Sequence, residues 1–126
     1  MQKVLLICVM LVTGFAFQAK AQKKTWKELD DFHSVMSATF HPSEEGNLKP
    51  IKERSKEMAE KAEVLAKSEI PVAYQKEGVK ESIKLLAKES KALDKMIKDK
   101  KSDEDVKKSL SALHDRFHEV MEKCNH

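Results

Sequence analysis

Cysteine is nearly absent from this chain: Cys8 lies in an apolar leader, and beyond the leader only Cys124 remains. One cysteine cannot close an intramolecular disulfide. It is left as a packed thiol, a metal ligand or the arm of an intermolecular bond, and its place on an apolar helical stripe favours packing. Glycine and proline are also scarce, three of each in 126 residues. The breaks they make are few, and Pro42, Gly46, Pro50, Pro71 and Gly78 mark the connections. Alternating strand patterns are missing. So is a long apolar run, except for Val4 to Phe17, which is too short and wrongly flanked to span a membrane.

That run reads as the core of a cleavable secretory signal peptide, residues 1–21. Lys3 gives it a positive start, and Ala19-Lys20-Ala21 is a small-x-small cleavage site. The mature domain, residues 22–126, would then be a periplasmic or secreted protein and not an integral membrane protein. Without Lys3 and Lys20 it carries 22 basic and 21 acidic side chains, a net charge of +1. These charges alternate along helical faces without a basic patch, which excludes nucleic acid as an expected partner. The length suits a single domain.

Four stretches carry apolar residues at alternating steps of three and four, the seam of a packed helix. The first is Trp26, Leu29, His33, Met36 and Phe40, ended at His41 because proline follows. The second is Ile51, Ser55, Met58, Ala62 and Leu65, capped by Asn47 with Pro50 in the first turn. Residues 69–77 form a connection whose Ile70, Val72, Ala73 and Tyr74 are apolar enough to pack under the bundle end. The third seam is Val79, Ile83, Leu86, Ser90, Leu93 and Ile97. The last, after a Ser102 cap and an acidic first turn, is Val106, Leu110, Leu113, Phe117, Val120 and Cys124. The expected fold is all-α, an antiparallel up-down-up-down four-helix bundle.

One pattern occurs twice. Asp30 to His41 (DDFHSVMSATFH) and Asp115 to His126 (DRFHEVMEKCNH) agree at six of twelve positions and hold four of the five histidines. The fifth, His114, lies one turn before His118. At 1.5 Å per residue, bundle topology brings His33, Ser55, Ser90 and His114 to similar heights, with His118 one turn lower. This predicts a polar layer in the core. An unpaired buried polar group costs about 1–3 kcal/mol, so such a layer needs a reason. One reason is a hydrogen bond from His33 to a serine or to His114 that fixes register. The other is a shared ligand.

His114 and His118, four apart, share a helical face, and Asp30 and Asp115 each stand three before a histidine. These spacings make His33, His114, His118, Asp30 and Asp115 candidate metal ligands. Ser55 and Ser90 occupy the seam positions where a di-iron centre would want carboxylates, so a single ion or haem is expected. Imidazole suits zinc, copper, nickel and iron alike. Met36 and Met121 each follow a histidine by three residues, and a thioether beside imidazole suits copper or haem iron. His41 and His126, at element ends, are expected to be exposed.

Four antiparallel helices in an exported chain, with candidate ligands on the first and last, resemble the periplasmic four-helix-bundle cytochromes, the b-type family and its c-prime relatives. The resemblance implies a non-covalent haem between Met36 or His33 and His118, and one-electron transfer. There is no Cys-x-x-Cys-His, so the covalent c-prime attachment is not implied. No nucleophile or general base stands out from the solvated glutamates, and a non-enzymatic role is expected. The alternative is a structural or partner-binding bundle without cofactor, in which a homodimer pairs the repeated helices and Cys124 cross-links them.

Overall fold

The computed structural model describes residues 25–125. Residues 1–24, which include the expected signal peptide at 1–21, and His126 lie outside the described residues. Among those described there are four α-helices and no strand: α1 (Lys27–Glu44), α2 (Lys49–Lys67), α3 (Val79–Lys98) and α4 (Asp103–Cys124). A short 3₁₀ turn, Val72–Tyr74, interrupts the connection between α2 and α3. No helix among them is long and apolar enough to cross a membrane.

Three of the four stripes lie where the periodicity puts them. All five α2 positions and all six α4 positions are buried, as are five of the six on α3, with Ile97 half-buried. Ser102 caps α4, its Oγ accepting from the Asp105 N–H at 3.1 Å. Asn47 Oδ1, the expected cap, accepts from the Lys49 N–H at 3.1 Å, although it stands one residue ahead of the N-cap position at Leu48. In the connection Tyr74 is buried against Trp26, ring centroids 5.2 Å apart, but Val72 and Ala73 are exposed. Trp26 Nε1 donates to Ser68 Oγ at 3.1 Å, pinning the start of α1 to the end of α2.

On α1 the inward face is turned by about one residue from the expected seam. Leu29, Phe32, Val35, Met36, Thr39 and Ser43 are buried, whereas His33 is exposed and Phe40 half-buried. The reason is local hydrogen bonding. Thr39 Oγ1 donates back to the Val35 carbonyl at 2.9 Å and to the Met36 carbonyl at 3.2 Å, so this residue can enter the core at no polar cost. An imidazole at position 33 has no such recourse. The expected core layer is therefore corrected: Ser55 and Ser90 are buried without a histidine beside them, Ser55 bonding to Asp94 and the Ser90 hydroxyl having no hydrogen-bond partner among the described residues. Ser55 Oγ donates to Asp94 Oδ1 at 2.8 Å, and Lys98 Nζ sits 2.9 Å from Asp94 Oδ2.

The end of α1 is a second correction. Pro42 lies inside the last turn, and the helix continues to Glu44. Proline there forfeits one backbone bond near a helix end, and Ser43 Oγ donates to the Phe40 carbonyl at 2.6 Å. Gly46 is the true stop. With φ at +87°, it lets Asn47 N–H reach the Pro42 carbonyl and its own N–H reach that of Ser43, both at 3.0 Å, a Schellman closure.

The same closure ends α3, but Lys100 occupies the left-handed position at φ +58°. Lys101 N–H bonds to the Met96 carbonyl at 3.1 Å and Lys100 N–H to that of Ile97 at 3.0 Å.

Consecutive helices pack closely, and α1 meets α4 through far fewer residues. Ties across the other pairs are polar as well as apolar. Arg116 of α4 forks onto Glu89 of α3 at 2.8 and 2.9 Å, Ser82 donates to Glu119 at 2.9 Å, and Lys52 pairs with Asp103. The thin α1–α4 seam carries the cleft.

The two closures make a matched stability prediction. A left-handed residue with a Cβ costs about 1–2 kcal/mol, part of which glycine returns through its unfolded-state entropy. Lys100→Gly should stabilise by roughly 0.5–1 kcal/mol, raising the thermal midpoint by a few degrees. Gly46→Ala should lower it by a similar amount although its Cβ would meet no atom within 4 Å. Thermal melts of both variants, followed by far-UV circular dichroism, check the opposite signs.

Candidate histidine cleft between the first and last helices

A cleft of about 330 Å³ opens between α1 and the second half of α4. Every histidine among the described residues lines it: His33 and His41 from α1, His114 and His118 from α4. Met36, Ser37, Phe40 and Glu44 complete the α1 side, and Phe117 completes the α4 side.

Helical geometry accounts for this gathering. On α1, residues 33, 37, 40, 41 and 44 follow steps of four, three, one and three, a stripe adjoining the buried one. On α4, His114 and His118 flank the core residue Phe117. The repeated Phe-His dipeptide plays one part in both helices. Phe32 and Phe117 meet in the core with centroids 5.6 Å apart, and the histidine after each, turned about 100° round its helix, reaches the cleft.

The rings form a connected set. Phe40 of α1 stacks on His114 of α4, centroids 3.7 Å apart and planes within 5°. His114 meets His118 edge-on at 4.4 Å. His33 packs against Phe117 at 5.0 Å, and His41 against Phe40 at 5.9 Å. His41 Nδ1 also lies 3.3 Å from Glu44 Oε1.

The histidines expected to converge do so in part: His33, His114 and His118 share the cleft, and so does Met36. Asp30 and Asp115 are exposed and do not line it; Asp115 borders a shallow depression on the outer side of α4 with Lys107 and Lys108. The carboxylate that does line it, Glu44, and the exposed His41 beside it were set aside by ending the first helix at Pro42. The signal for them was the spacing of eight between His33 and His41, two turns of one face once the helix runs on. Among the described residues, no three His, Cys, Asp or Glu side chains already stand in a group able to hold a metal ion. Three of the four imidazoles are exposed and can turn about χ1 and χ2 at the modest cost of lost rotamer freedom. Cys124 is buried at the far end of α4, ten residues or about 15 Å beyond His114.

Comparison with protein-family models, with curated proteins and with solved structures returned no match.

Electrostatics single out His114. Burial holds its pKa below the ordinary imidazole value, and the neighbouring His118 and, more weakly, His41 push the same way, against the opposing pull of Asp115 and Glu44. Its neutral form is thus favoured, which leaves a ring nitrogen lone pair free to bind.

A lowered folded-state pKa means that the unfolded chain binds the proton more readily. Nothing is lost above the unfolded value of 6.5. As pH falls below it, the folded state is progressively penalised until His114 also protonates. Denaturant midpoints should therefore drop between pH 7.5 and 5, and a His114→Gln variant should show a shallower drop. Equal slopes in the two proteins would refute the assignment.

Proposed function

We propose that this protein is an exported, antiparallel up-down-up-down four-helix bundle that binds a transition metal ion between its first and last helices. It binds rather than catalyses, and its role is to carry, buffer or sense the ion. The observation that carries the reading is the convergence of four histidines on one cleft at a seam thinner than those between consecutive helices. His114 and His118 are the core of the donor set, one turn apart with their rings in contact. His33, or His41 with Glu44, supplies the remainder by rotation. Asp30 and Asp115 contribute charge from outside the cleft. Export rests on Lys3, the Val4 to Phe17 run and Ala19-Lys20-Ala21.

Haem is the second reading, favoured by the presence of Met36 and His118 in the same cleft. A porphyrin there would have to part the Phe40 and His114 rings, which already fill the space between the helices face to face. An ion needs only donor atoms at the edge of that stack, so the ion has the stronger support.

Titration of the purified mature chain with zinc, copper and nickel checks the reading. A ligand that binds only the folded state adds about 2.7 kcal/mol at a free concentration of 100 Kd, worth on the order of 10–20 °C in a domain of this size. At least one ion should produce such a shift, and His114→Ala with His118→Ala should abolish it, whereas Asp30→Asn and Asp115→Asn should retain it. No shift with any ion, or an undiminished shift in the double variant, would sink the proposal. A Soret band on adding haem that disappears in His118→Ala would decide for haem.

A further inference from the structure

We infer that the cleft selects monovalent copper, held by the Met36 thioether at its floor and the His114 and His118 imidazoles on its wall. This rests on the reading that the cleft binds an ion, and it names which one.

Met36 is the observation that points this way. It is 1 % exposed and yet lines the cleft, so the floor presents a packed sulfur-bearing side chain beside the imidazoles. A thioether is neutral and polarisable. It is a poor partner for zinc, nickel or ferrous iron and a good one for copper(I).

Coordination number agrees. Structural zinc takes four nitrogen, sulfur or oxygen donors in a tetrahedron, and no group of even three His, Cys, Asp or Glu stands assembled among the described residues. Copper(I) is satisfied by two or three neutral donors. Two contacting imidazoles and a thioether are such a set.

Charge agrees as well. The cost of taking an ion out of water grows with the square of its charge, so a monovalent ion in a cleft lined in part by Phe40 and Phe117 loses about a quarter of what a divalent ion would.

The test is a chelator competition on the mature chain, run anaerobically with copper(I) and bicinchoninate, and in parallel with zinc and a zinc indicator. The central variant is Met36→Leu, a volume-conserving change that keeps the core filled. All measurements are made in a Cys124→Ala background so that the thiol does not compete for copper. Met36→Leu should weaken copper(I) binding by about tenfold or more while zinc affinity changes far less. X-ray absorption at the copper edge should show a sulfur neighbour that is lost in the variant. If Met36→Leu holds copper(I) as tightly as its parent, the inference falls while an imidazole-only site stands. If the parent binds no ion of either valency, this inference and the proposed function fall together.

Discussion

The bundle depends on which side of α1 faces inward, and the two back-bonds of the Thr39 hydroxyl allow the answer. A threonine that satisfies itself on its own helix can lie in a dry core; a histidine or an unmatched aromatic ring cannot do so as cheaply. With Thr39 inside, Phe32 meets Phe117, and the adjoining stripe from His33 to Glu44 is left at the border with α4. Turning the helix the other way would bury His33 without a local partner and push Phe32 outward. The cleft follows from this rotation.

The repeat reads differently in this light. Phe-His in both segments could reflect packing alone, and for the phenylalanines it does. The histidines are another matter, because no apolar contact requires an imidazole beside Phe117 or stacked on Phe40. An aliphatic residue at 114 would fill the same space against Phe40 without the desolvation that lowers the imidazole's pKa. Retaining a basic nitrogen in a half-buried, pKa-lowered setting is a pattern found at binding sites.

Much of this was legible in the residues. On α2, α3 and α4 every heptad position is aliphatic, aromatic or small, and nothing competes with the three-four spacing. The α1 seam failed because two interleaved stripes, one through His33 and Phe40 and one through Phe32 and Thr39, fit the same period. Hydrogen bonding decided between them, and periodicity does not register it. The reach of α1 past Pro42 turned on Gly46, whose left-handed backbone closes the helix about one turn beyond where proline alone suggested an end. Asp94 was invisible for a related reason: a charged residue joins a core only when specific partners meet it, here Ser55 and Lys98. At the site, three histidines and Met36 were foreseen. His41 and Glu44 were lost with the last turn of α1, and the aspartates were favoured by sequence spacing that the helix surface does not honour.

What joins the helices differs from seam to seam, and that difference bears on ligand binding. Between α3 and α4 the fork of Arg116 on Glu89, together with the Ser82, Glu119 and Lys123 cluster, fixes the pair through directional bonds. Between α1 and α4, the described contacts beside the cleft are ring against ring: Phe32 and His33 on Phe117, Phe40 on His114. Ring contacts are worth about 0.5–1.5 kcal/mol each beyond area burial and tolerate sliding. A seam of this kind closes by adjustment rather than by breaking a network. Donor side chains from the two helices can therefore draw together around an ion at small cost, and the ion would then supply the cross-tie that this seam has less of than the others.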